Sequence, residues 1–192
     1  MTLNSRERMI EGAVKLLGER GAHAASLNEI MKATGAPRGS IYHHFPQGKE
    51  QIIGEALELA GNHALNFLNN LEGEPAETVA GQFISLWRML LSQSNFEMGC
   101  SVLAVTIGAE SSDLLDRAAS VFRQWVERLT ALLAAGGVGS DSARGLANVI
   151  ISSCEGAVAI SKAQKSFDTF NIVAEQLLVM VRNASATQSQ MM

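Results

Sequence analysis

Apolar side chains recur along this chain at three- and four-residue steps, the spacing that lines one face of an α-helix. No long stretch alternates apolar and polar residues as a half-buried strand would. Met9, Ile10, Ala13, Val14, Leu16 and Leu17 predict a first helix over residues 5–19, with Gly21 free to end it in left-handed geometry. In the SLNEIMKATG run, Ser26 and Glu29 stand at capping-box spacing, and Leu27, Ile30 and Met31 make the buried face of a short second helix that Gly35 stops. Pro37 suits the first turn of a third helix over 37–44, which has few apolar residues: Ile41, with Phe45 after it. Pro46 and Gly48 break the chain. A long fourth helix over 49–71 follows, carrying Ile52, Ile53, Ala56, Leu57, Ala60, Ala64, Leu65, Phe67 and Leu68. After the EGEPAE turn the pattern predicts helices over 75–93, 101–109, 112–135, 141–164 and 168–184, then a frayed polar tail. Each of the three prolines, at 37, 46 and 75, falls at a predicted helix boundary. The expected fold is therefore all-α.

Composition sharpens this picture only in places. Of 192 residues, 47% are hydrophobic, enough to build a real core and too many for a disordered chain. No uncharged apolar run approaches membrane-spanning length, so no membrane partner is expected. Cys100 and Cys154 lie far apart and form no ligand pattern; with no signal peptide evident, a reduced cytoplasmic setting is the expectation and a disulfide is not. His23, His43, His44 and His63 have no partners at metal-ligand spacing, so neither a metal nor a cofactor is expected. The net charge of −4 is uneven: residues 1–50 carry +2 and the remainder −6. A mildly basic N-terminal quarter thus sits on an acidic body.

Three helices within 45 residues, the second and third joined by a tight glycine turn, read as a helix-turn-helix, whose later helix enters the DNA major groove. The segment GAPRGSIYHHF fits that task. Arg38 offers a cation to phosphate or guanine, Gly39 lets the backbone approach closely, and Ser40, Tyr42 and His43 can donate to phosphate or base edges. Ile41 and Phe45 face inward. Core packing is the competing reading for Tyr42, and His44 is open between the two roles.

The run SLNEIMKATGAPRGSIYHHFPQGKEQII, preceded by RERMIEGAVKLLGERG, resembles the tetracycline-repressor (TetR) family. Pro37 and the long FPQGKE turn, together with GCSVLAVTIGAE and CEGAVAISKA, look like its LmrA/YxaF-like branch. The resemblance implies a helix-turn-helix DNA-binding domain over 1–46, a connecting helix over 47–74, and a larger ligand-binding and dimerisation domain over 75–192. It implies DNA contacts from Ser26, Arg38, Gly39, Ser40, Tyr42, His43 and Lys49. The function so implied is a homodimeric repressor that binds a pseudo-palindromic operator and is released by a small apolar effector.

Residues 75–192 hold no phosphate-binding loop, dinucleotide glycine pattern or nucleophile motif. Their large adaptable side chains, Phe83, Trp87, Phe96, Met98, Phe122 and Trp125, are candidate effector contacts as well as candidate core, with Glu155, Gln82, Gln93, Glu110 and Gln124 as polar candidates. The last two helices suggest a dimer interface through Gly156, Val158, Phe170, Val173, Leu177 and Val181, the competing role being closure of the monomer core. An all-helical enzyme or small-molecule carrier with a vestigial N-terminal module is the rival function.

Overall fold

The computed structural model describes residues 4–109 and 111–191; the side chains of Arg38, Ser40 and residues 188–191 lie outside the described set. All regular structure among the described residues is helical: α1 (Ser5–Ala24), α2 (Leu27–Thr34), α3 (Arg38–His44), α4 (Lys49–Asn69), α5 (Ala76–Gln93), α6 (Ser101–Gly108), α7 (Ser112–Ala135), α8 (Ser140–Gln164) and α9 (Asp168–Met191).

Local chemistry sets the ends. Asn4 and Glu7 form a reciprocal capping box at the start of α1, each side chain bonded to the other's backbone N–H at 2.9–3.0 Å. Gly21, at φ 80° and ψ 174°, leaves helical geometry, but the chain recovers for one more turn to Ala24. The box expected at Ser26 is only half made. Ser26 Oγ accepts from Glu29 N at 3.2 Å, while the Glu29 carboxylate is drawn instead to Lys32 Nζ at 2.7 Å and Arg20 at 3.3 Å. Gly35 ends α2 at φ 66°, a conformation costly for any residue with a Cβ. Pro37 is the extended residue just before α3 rather than its first helical one. The last helix runs on to Met191, beyond the frayed end expected at 184.

The chain packs as two units. The first comprises Met1–His63 and Cys100–Phe122, the second Ala64–Gly99 and Arg123–Met192. α4 and α7 are each continuous across this division. In the first unit α1 packs on α2 and α6, and α2 touches α3. Met9, Leu17, Ile30, Ile41, Phe45, Ile52 and Leu57 are fully buried there, each worth about 1.5–3 kcal/mol of apolar burial. α4 and α7 approach closely: a Cβ at Gly61 would stand 2.9 Å from Val121, and one at Gly54 would stand 3.1 Å from Arg117. Arg117 bridges the same two helices, donating to Asp113 at 2.8 Å and Glu58 at 3.0 Å. The Asp113 hydrogen bond is the main reason its pKa is raised.

In the second unit α5, α8 and α9 pack on one another around Phe83, Leu91, Ile150 and Phe170. α8 is long and apolar enough on average to cross a membrane, but Arg144, Glu155 and Lys162 interrupt it, in keeping with the lack of an uncharged apolar run in the sequence, and half of its apolar window is buried.

Candidate nucleic-acid interface and effector region

α3 carries the chemistry of the N-terminal unit. Ile30 from α2, Ile41 from α3 and Phe45 at the C-terminal cap of α3 are all 0% exposed, and they fasten the short helix from below. Arg6 of α1 lies over the Phe45 ring, 5.2 Å from its centroid, and bonds Glu55 of α4. With its apolar side held, α3 turns Gly39, Tyr42 and His43 outward. Tyr42 is 63% exposed, which removes the core reading for this aromatic and leaves a phenol in solvent. The His43 ring packs edge-on to His44 at 5.2 Å, and His44 is half-buried beside Phe45. The side chains of Arg38 and Ser40 lie outside the described residues. Lys49, the first residue of α4, is exposed. Ser26 is half-buried, and its hydroxyl, though an acceptor at the α2 cap, keeps its proton to donate.

Packing does not require a glycine at position 39. A Cβ built there meets nothing within 4 Å, and the backbone is not in the left-handed region. An open groove of about 760 Å3 lies elsewhere in this unit, lined by the carboxylates of Glu7, Glu11, Glu55 and Glu58 with Arg6 and Arg117. That surface is acidic and unsuited to phosphate.

In the second unit Trp87 stands edge-on between Phe83 and Trp125, with centroids 6.1 Å apart in each pair. All three rings are buried, and the Trp87 indole N–H has no hydrogen-bond partner among the described residues. Phe96 has its ring contact with Phe167 at 4.6 Å, and the Arg88 guanidinium lies 4.1 Å from the Phe167 centroid. Met98 is half-buried. Phe122 belongs to the first unit. Glu155 is 7% exposed, and burial together with its carboxylate pushes the neighbouring Cys154 thiol up to about 12. Gln82, Gln93 and Gln124 are exposed, and Glu110 lies outside the described residues. Phe167 and Arg88 escaped the sequence reading because a lone loop aromatic and a helix-surface arginine carry no periodic signal. No group of three metal-ligating side chains occurs among the described residues.

The candidate interface residues on α8 and α9 divide by face. Val158, Phe170, Leu177 and Val181 are at most 3% exposed and pack inside the unit, and Val173 is half-buried. Gly156 is exposed. It shares its face of α8 with Val149, Ser152 and Ile160, and α9 exposes Ile172 and Met180. Apart from Gly156, the residues expected at the interface lie on the covered side, because a run apolar on most sides does not reveal which side is outermost.

Residues 9–56 match the family model for bacterial regulatory proteins of the tetR family, and residues 75–176 match that for the C-terminal domain of LmrA/YxaF-like transcriptional regulators. The chain belongs to the TetR family. The TetR-family chain is 34% identical to the regulator Rv0196 of Mycobacterium tuberculosis over 90% of its own length and 91% of the relative's. It is 30% identical to YxaF of Bacillus subtilis, covering 93% and 96% of the two chains. A solved regulatory protein TetR from Rhodobacter sphaeroides shares the fold at a TM-score of 0.81 and 22% identity, over 91% of this chain and 97% of that one. These relatives are transcriptional regulators, and the enzyme reading is set aside with them. The protein is a DNA-binding transcriptional regulator with an N-terminal helix-turn-helix and a larger C-terminal helical domain.

Proposed function

We propose that this TetR-family regulator is a homodimeric repressor that reads its operator with α3 and is released by a small apolar effector. The outward face of α3 carries the proposal: Gly39, Tyr42 and His43 on a helix clamped by Ile30, Ile41 and Phe45, with Lys49 exposed at the start of the next helix. In this reading Tyr42, His43, Ser26 and Lys49 hold phosphates, and Arg38 and Ser40 reach base edges. The open space above Gly39 lets the sugar-phosphate backbone come close. Reading of symmetric half-sites calls for a second copy, and the exposed α8/α9 face of Val149, Gly156, Ile160, Ile172 and Met180 is the self-complementary surface proposed for it.

The effector is proposed to enter beside Trp87 and Trp125. A buried indole N–H without a partner is costly, and a ligand that supplies an acceptor removes that cost. The 21-residue α4, about 32 Å long, belongs at its two ends to different units, so a ligand that favours a different tilt of this helix can lower operator affinity. Mobility-shift titration on duplexes from the chain's own promoter tests the reading. Tyr42→Ala should cost at least about 1 kcal/mol of binding, with no change in the melting temperature, because the ring is already in solvent. Equal operator affinity in wild type and Tyr42→Ala would remove Tyr42 from the interface.

A further inference from the structure

A pocket of about 320 Å3, open to solvent on one side, lies in the first unit, separate from the acidic groove. Its walls come from four helices: Ala22 at the end of α1, Ile53 on α4, Val105 on α6 and Leu114 on α7, with Ala109 just past α6. Its polar lining is His23, Lys49, Glu50 and Ser111. We infer that this pocket is a binding site for a small uncharged phenol, and that its occupancy weakens operator binding through Lys49.

Size and chemistry choose the ligand. The pocket is open to solvent on one side, and its volume is about twice the ~150 Å3 of an enclosed apolar cavity that holds benzene, so one aromatic ring with a short apolar substituent fits against its apolar walls. Lys49 and Glu50 bring one charge of each sign to the described lining, which therefore does not select for an anion or a cation. The His23 imidazole and the Ser111 hydroxyl can each bond a single hydroxyl group, and neither has a hydrogen bond among those described. One hydroxyl on an apolar ring matches that lining.

Position supplies the consequence. Lys49 and Ile53 are four residues apart and share a face of α4. A ring against Ile53 lies one turn beneath Lys49 and presses on the helix end that the proposed function assigns to phosphate. This regulatory half rests on that assignment, while the binding half does not. The site is also distinct from the proposed effector region, since Trp87 and Trp125 belong to the other unit.

The probe is 4-propylphenol, titrated into the full chain with methyl-labelled Ile, Leu and Val. Saturable shifts of the Ile53, Val105 and Leu114 methyls, without quenching of tryptophan fluorescence, are expected. Ala109→Phe should fill the space; Ala109 has extended backbone angles (φ −78°, ψ 136°), which an aromatic residue adopts readily. That variant, and independently Ser111→Leu should the first not fold, should weaken the phenol at least about tenfold. Operator affinity should fall about fivefold or more in saturating phenol for the wild type and not for the variants. Absence of saturable shifts up to millimolar phenol overturns the site, as do shifts that both variants leave intact. Normal shifts with unchanged operator affinity overturn the link to Lys49. If no duplex is bound even without phenol, the operator reading fails and the methyl shifts still decide the site.

Discussion

Replacement of Ile172 by Ser tests assembly without touching the fold. Ile172 is 64% exposed on α9, so the isolated chain gains little from its side chain. Full burial of an isoleucine is worth about 1.5–3 kcal/mol, and roughly two thirds of that, about 1–2 kcal/mol, remains for a partner surface to collect. A two-fold interface counts the residue twice, so the dimer should lose about 2–4 kcal/mol, or some 30- to 700-fold in Kd. Sedimentation velocity across nanomolar to micromolar concentration reads the change directly. Thermal unfolding of the dissociated variant should match that of wild type diluted until it too is monomeric. Leu177→Ser is the contrast: at 3% exposure it should lower the stability of the unit itself by about 2–5 kcal/mol. A wild-type chain that is monomeric at micromolar concentration, or an Ile172→Ser dimer within a few-fold of wild-type affinity, would refute the assignment of this face.

Three further outcomes are expected. Lys49→Ala should weaken binding to all duplexes alike and lower the log–log salt slope by about one, since one phosphate contact releases roughly 0.9 counterion; fluorescence anisotropy at several salt concentrations measures it. Gly61→Val should destabilise the first unit by about 1–3 kcal/mol in a urea titration, because its side chain would enter space held by Val121. Cys154, held up to about 12 in the fold from an ordinary value near 9, should resist thiol reagents in native protein at pH 8. Its raised folded value stabilises the chain fully below pH 9, and that contribution should fade as pH rises towards 12, as denaturation at stepped alkaline pH will show against a Cys154→Ala control.

The helices were legible because each carries its own apolar period and its own stops; Gly35 and Pro75 stand where the chain turns. The clamp under α3 was legible for the same reason, as Ile41 and the capping Phe45 are four apart in a segment with little else apolar. Faces of α8 and α9 were not. Val158 and Ile160 look alike in sequence, yet one is 2% and the other 46% exposed, because α5 and α9 pack on only part of the helix surface and which part is decided by other segments. Likewise the packing of α6 on α1 joins segments about 80 residues apart and leaves no mark in either. The half-made cap at Ser26 shows local chemistry overridden by a stronger local competitor, since Lys32 offers Glu29 a charged partner one turn away.

The split of the first unit between Met1–His63 and Cys100–Phe122 has a consequence for biosynthesis. As the chain leaves the ribosome, α1 to α3 emerge long before Val102, Val105, Leu114 and Ala118, all buried in the same core. At roughly 5–20 residues per second, the ~60 residues from the end of the first segment to the end of the second take on the order of 3–12 s to synthesise. During that interval the α1 surface that will meet α6 stays uncovered, so early chaperone contact should concentrate there. Nascent chains arrested just after α4 should stay protease-sensitive and become resistant only once Phe122 has cleared the exit tunnel.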